Sequence, residues 1–128
     1  MKLEHIALTI NSQKEIKEFY QGILQMELVK TFTLNAELSK AIFKADSDVP
    51  VYIVKNDSFI LEIFVSDEKK YHSFGHICIS VINRELIMKK AVDKNYPIIK
   101  IEREYGDLVF VHDLNGNMFE IKEFMLDN

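Results

Sequence analysis

"LEHIALTI", residues 3–10, and "FGHICISV", residues 74–81, decide how this chain is read. Each is an apolar, β-branched run of strand length with a histidine near its start, His5 in one and His76 in the other. Successive side chains of a strand face opposite ways. Ile6, Leu8 and Ile10 therefore share one face, and His5, Ala7 and Thr9 share the other. In the second run Ile77, Ile79 and Val81 oppose His76, Cys78 and Ser80.

The segments after these two strands are also alike. "NSQKEIKEFYQGIL" reads as a helix, with Ser12 and Glu15 as a capping box and Ile16, Phe19, Tyr20, Ile23 and Leu24 as its apolar stripe. Strands are expected at 27–34, 51–55 and 59–65, the last two joined by the turn residues Asn56, Asp57 and Ser58. Segment 35–50 admits two readings, since "AIFKA" suits a strand or a short helix and "DSDVP" a turn. After the charged "DEKKYHS", "NRELIMKKAVDKNY" reads as a helix capped by Asn83, with Ile87–Ala91 and Met88–Val92 as i, i+4 pairs. "PIIKI", "DLVFVHD" and "MFEIKEF" are strands, and Asn115-Gly116 marks the tight turn between the last two. The order β-α-β-β-β thus occurs twice, as an α+β pair of modules at about 1–66 and 73–125 within one domain spanning 1–128.

Two glutamates match the two histidines. In "FILEIFV", Glu62 opposes Leu61, Ile63 and Val65; in "MFEIKEF", Glu120 opposes Phe119 and Ile121. His5 and His76 open the first strand of each module, and Glu62 and Glu120 sit on the last. The separations are 57 and 44 residues, so the second module is shorter in its middle. Singly, a strand His or Glu is commonly an exposed or edge residue. Four at equivalent repeat positions, all of one parity, form a plausible divalent-metal set. A dication also offsets two carboxylates that would otherwise be costly to bury.

Composition narrows the rest. With 128 residues, 48% hydrophobic and 28% charged, the chain can bury a substantial core. A net charge of −4 argues against a nucleic-acid partner. No apolar run approaches the roughly 20 residues of a membrane span. The first strand starts too early to leave room for a signal peptide, and the single cysteine, Cys78, excludes an intrachain disulfide. A cytoplasmic protein with a small-molecule substrate is expected.

Taken together, these stretches resemble the vicinal-oxygen-chelate superfamily of glyoxalases, bleomycin-resistance proteins and dioxygenases. The resemblance covers nearly the whole chain and rests on "LEHIALTI" with "EIKEFYQGILQMELV", on "FGHICISV", and on "VFVHDLNGNMFEIKE". Gln25 stands where the family usually has glycine, and Leu114 where it has proline. The resemblance implies paired βαβββ modules whose curved mixed sheets form a cup around a metal. It also implies His5, Glu62, His76 and Glu120 as ligands of a divalent ion such as Ni, Zn, Co, Mn or Fe. A glutamate at the position of Glu62 is similar to lactoylglutathione lyase. The implied chemistry is stabilisation of an enediolate or enolate, with Glu120 as the base and Glu62 as the other candidate. Extradiol-type dioxygenases, and metal-free binding or resistance proteins, are the alternatives. With only Arg84 and Arg103, no arginine set can be assigned to glutathione, and a small hydroxy or keto carbonyl compound or a thioester is as plausible. A homodimer is expected, since module edges invite pairing.

The remaining candidates have plainer readings. His72 reads as a loop residue at the rim, His112 as a partly exposed strand end, and Cys78 as a small buried residue. Lys122 reads as a strand-end lysine reaching solvent, with an anionic substrate as its functional alternative.

Overall fold

A computed structural model describes residues 2–67 and 74–124 of the chain. They fall into two compact units, Met1–Lys69 and Lys70–Asn128.

The first unit contains β1 (Ile6–Ile10), α1 (Ile16–Gln21), β2 (Glu27–Leu34), α2 (Ala36–Phe43), β3 (Val49–Lys55) and β4 (Ile60–Val65). Its strands form one open sheet in the order β1-β4-β3-β2, with β1 parallel to β4 and the other neighbours antiparallel. The expected apolar stripe is buried: Ile16, Phe19, Tyr20, Ile23 and Leu24 are all 7% exposed or less. Leu61 and Ile63 of β4 are fully buried, as their parity requires. Ser12 Oγ accepts from the Lys14 amide at 3.3 Å, but the helix is capped at Glu15 without a side-chain cap bond, so the expected capping box is not formed. The helix itself is wide. The Leu24 amide donates to the Phe19 carbonyl five residues back, a π-type turn that periodicity alone does not announce.

Segment 35–50, ambiguous in sequence, resolves into α2 and the start of β3. Asn35 caps α2, its Oδ1 accepting from the Leu38 amide at 2.9 Å, and Asp48 Oδ1 accepts from the Ala36 amide at 2.7 Å. The far end closes with the Lys44 amide donating to the Lys40 carbonyl, the bond of an αL stop, and with Ala45 donating to Ser39. Lys44 sits there at φ 63°, a place where glycine is usual. A lysine in that place leaves the end of the helix without its usual sequence signal.

The second unit contains β5 (Ile77–Val81), α3 (Arg84–Asp93), β6 (Ile98–Ile101), β7 (Leu108–His112) and β8 (Met118–Glu123). Its sheet order, β5-β8-β7-β6, repeats the first, again with the opening strand parallel to the last. Asn83 caps α3 as expected, accepting from the Leu86 amide at 3.1 Å. Ile87 and Ala91 are buried, whereas Val92 is 55% exposed, so only one of the two expected pairs joins the core. Phe119 and Ile121 are buried, as are Val109 and Val111 of the neighbouring strand. The units differ mainly in α2, which accounts for the longer His5–Glu62 spacing. No helix among the described residues is long and apolar enough to cross a membrane.

Candidate functional site

In the first unit, β1 pairs with β4 so that Ala7 lies opposite Glu62. His5 precedes Ala7 by two residues, and its Nε2 lies 3.4 Å from Glu62 Oε2. In the second unit, Cys78 lies opposite Glu120. His76 precedes Cys78 by two residues, and its Nε2 lies 3.7 Å from Glu120 Oε1. The two units thus build the same pair in the same register. Each histidine is partly exposed, at 47% and 39%, and each glutamate mostly covered, at 21% and 16%.

The distances are informative. A charge-assisted N–H···O bond is about 2.7–2.9 Å long, so both pairs are too open to be direct hydrogen bonds. Two ligand atoms each about 2.1 Å from one ion are separated by about 3.0 Å at a right angle and about 3.4 Å at a tetrahedral one. The His5–Glu62 spacing equals the second figure, and the His76–Glu120 spacing is a little wider. Imidazole nitrogen and carboxylate oxygen suit a divalent ion of the Mn-to-Zn series. Within neither unit do the described residues gather three or more His, Cys, Asp or Glu side chains in a group able to hold a metal. Each unit brings together one imidazole nitrogen and one carboxylate.

The His76 ring is oriented by a backbone carbonyl. Its Nδ1 lies 2.8 Å from the Phe74 carbonyl, which can only accept, so Nδ1 donates there and Nε2 faces Glu120. The Phe110 ring meets the imidazole edge-on at 5.8 Å.

Glu120 has further neighbours. Its Oε2 accepts from Cys78 Sγ at 3.3 Å and lies 3.9 Å from Lys122 Nζ. Cys78 is exposed rather than buried as its small size suggested. Partial desolvation, followed by the Glu120 carboxylate, pushes its thiol above the usual range, so it remains a protonated donor. The equivalent positions beside Glu62 are Ala7 and Phe64, which offer no such bonds.

The turn that delivers Glu120 is built on Asp113, which is 1% exposed. Its carboxylate accepts from the Asn115 and Asn117 amides at 2.9 and 2.8 Å and from Asn117 Nδ2 at 2.7 Å. Gly116 adopts φ 85°, consistent with the Asn-Gly turn signal. Gln25 sits at φ 56°, which explains why glycine is the family's usual residue there.

Among the other candidates, His112 is half-buried, and its Nδ1 is buried without a hydrogen-bond partner. His72 lies outside the described residues. Both arginines are engaged locally, Arg84 with the Asp107 carbonyl and Arg103 with that of Gly106. His5 also borders a cavity of about 690 Å³, together with Glu4, Glu27, Lys55 and Asp57.

Comparison with known proteins agrees with this fold. The model of the glyoxalase/bleomycin resistance protein/dioxygenase superfamily matches residues 2–121. The chain belongs to that superfamily. No curated protein matches it significantly. Among solved structures of the superfamily's fold, the genomically encoded fosfomycin resistance protein FosX from Listeria monocytogenes is 14% identical, with a TM-score of 0.75 over 98% of this chain and 95% of that one. FosX from Mesorhizobium loti is 12% identical, with a TM-score of 0.70 over 98% and 93%. A mutant of the Listeria protein, solved with Mn(II) and 1S,2S-dihydroxypropylphosphonic acid, is 14% identical, with a TM-score of 0.73 over 98% and 91%. At these identities the likeness concerns the fold.

Proposed function

We propose that this superfamily member is a metal-dependent lyase or isomerase that moves a proton at a carbon next to a carbonyl group. The observation that carries this reading is the duplicated His–Glu pair, open to about the spacing of two ligands on one ion. His5, Glu62, His76 and Glu120 then act as one ligand set, two neutral donors and two anions balancing a dication. The Mn(II) in a FosX structure supports a divalent metal, without fixing which one is used here. Such an ion, when bound, supplies Lewis-acid stabilisation of charge developing on a substrate oxygen.

The chain's own residues divide the remaining work unequally. Cys78 and Lys122 hold Glu120 Oε2 in place, which suits a fixed ligand. Glu62 lacks those contacts and stands beside Ala7, so it has the space to take a proton from the substrate carbon. This favours Glu62 over Glu120 as the base. The commitment of both arginines elsewhere favours a small carbonyl compound over a glutathione adduct.

A second reading rests on Lys122. Its ammonium, 65% exposed and close to Glu120, suits an anionic substrate group such as the phosphonate in the FosX complex. One experiment separates the readings. The protein loaded in turn with Mn(II), Zn(II), Ni(II) or Fe(II) is incubated in D₂O with hydroxy-carbonyl compounds, thioesters, the methylglyoxal–glutathione hemithioacetal and fosfomycin. Deuterium uptake at the substrate carbon supports proton transfer. Oxygen consumption with a catechol, and no exchange on any carbonyl compound, overturns it.

A further inference from the structure

One histidine of the second unit takes no part in the ligand pair. His112 ends β7, where its amide donates to the Pro97 carbonyl at 3.0 Å. Val109 and Val111 are buried on one face of this strand, so Leu108, Phe110 and His112 share the other. Register fixes what lies beside them. Phe110 is paired with Glu120 and meets the His76 ring, and His112 is paired with Met118. His112 therefore stands on the face that carries His76 and Glu120. It lies one two-residue step, about 7 Å, along the strand from Phe110.

Its two ring nitrogens are in opposite situations. Nδ1 is buried without a partner, and no ligand can reach it. Nε2 makes no hydrogen bond among the described residues either, but the residue is half-buried and this nitrogen is not sealed off. A neutral imidazole carries one proton. On Nδ1 it would be a buried N–H with no acceptor; on Nε2 it leaves only a lone pair unmatched. Buried N–H groups go unpaired more rarely than acceptors do, so the proton belongs on Nε2. His112 thus presents an unused donor beside the His76–Glu120 pair. A histidine kept for packing commonly ties down one nitrogen, as His76 Nδ1 does on the Phe74 carbonyl. Here neither is tied.

We infer that His112 is a specificity residue, its Nε2–H donating to a second oxygen of the substrate a few bonds from the carbon whose proton is moved. The inference rests on the functional reading above and narrows it. The substrate becomes a hydroxy or keto carbonyl compound that carries a further acceptor, such as a carboxylate. A site built to donate a hydrogen bond rejects analogues that lack the acceptor. Met118 and Phe110 flank the donor with apolar surface, which sharpens that discrimination. Lys122 is paired with Ser80, on the other side of Glu120 along β8, so it reads a different part of a bound molecule.

The test uses the full-length protein and two probes, malate and 2-hydroxybutanoate, which share a hydroxy acid and differ in the second carboxylate. Without metal, long-range proton–nitrogen NMR should show His112 protonated on Nε2. Loaded with Zn(II), the protein should bind malate the tighter, and malate alone should shift the His112 Nε2 resonance. His112→Leu should weaken malate about 10-fold or more, the usual worth of a hydrogen bond to a charged group, and leave 2-hydroxybutanoate unchanged. His112→Gln, which keeps an N–H donor at similar reach, should recover most of the loss. The effect of His112→Leu should persist in a Lys122→Ala background. The inference is overturned if His112 carries its proton on Nδ1, if neither probe binds the zinc-loaded protein, or if His112→Leu weakens both probes alike. Failure of Zn(II) to bind would overturn the functional reading and this inference with it, whereas those other results overturn this inference alone.

Discussion

Cys78 and Glu120 face each other across β5 and β8, with the thiol donating to the carboxylate at 3.3 Å, while Ala7 occupies the same place opposite Glu62. Two modules of one topology thus carry chemically unequal glutamates. The difference arises from single residues at equivalent register positions, and it leads directly to the expected division of labour between ligand and base.

Glu62→Gln is expected to retain metal binding and cut deuterium exchange at the substrate carbon by about 10²-fold or more, the usual contribution of a general base. Glu120→Gln should instead lower metal affinity and lose activity in proportion. Exchange rates and metal titrations on both variants check this. The opposite pattern would reassign the base to Glu120.

Metal stoichiometry tests the ligand set. The parent is expected to bind one divalent ion per set of His5, Glu62, His76 and Glu120. His5→Ala and His76→Ala should each abolish tight binding while the circular dichroism spectrum stays unchanged. Phe74 fixes only the tautomer of His76 through its backbone, so Phe74→Ala should bind metal nearly as the parent does. Stoichiometric binding by either histidine variant would remove that residue from the set.

Asp113 governs the position of Glu120 through the turn. Asp113→Ala leaves three donors without their acceptor, two on the backbone and one on Asn117, at a buried site. A loss of about 3 kcal/mol is expected, since each buried unsatisfied group costs about 1–3 kcal/mol. It should appear as a lower urea midpoint with an unchanged slope. An unchanged midpoint would show that the turn is held by its backbone alone.

Assembly is testable by light scattering. β2 is an edge strand of the first sheet and leaves Leu28, Val29 and Phe32 between 37% and 49% exposed. Apolar edge strands invite pairing with another chain, and a homodimer is the expected species. A charged substitution at Val29 should then shift the equilibrium towards monomer. A parent protein that stays monomeric at high concentration would refute the expectation.

Much of this protein obeys local rules that a sequence displays. Strand parity places Glu62 and Glu120 on faces opposite the buried residues, because a period of two leaves no other arrangement once Leu61, Ile63, Phe119 and Ile121 are buried, while His5 and His76 stand one residue ahead of β1 and β5. The cap at Asn83 and the Asn115-Gly116 turn are equally legible, since each depends on one or two residues meeting their own backbone. Other features have no local signal. The end of α2 depends on Lys44 taking a left-handed conformation that its side chain does not advertise. Segment 35–50 is therefore ambiguous as a string of residues, and becomes a helix through Asn35, Asp48 and the Phe43–Phe64 contact acting together. The bond from Cys78 to Glu120 joins residues 42 apart. Only tertiary structure decides those, because they are set by strand register and by how a helix lies on its sheet, not by the order of neighbouring residues.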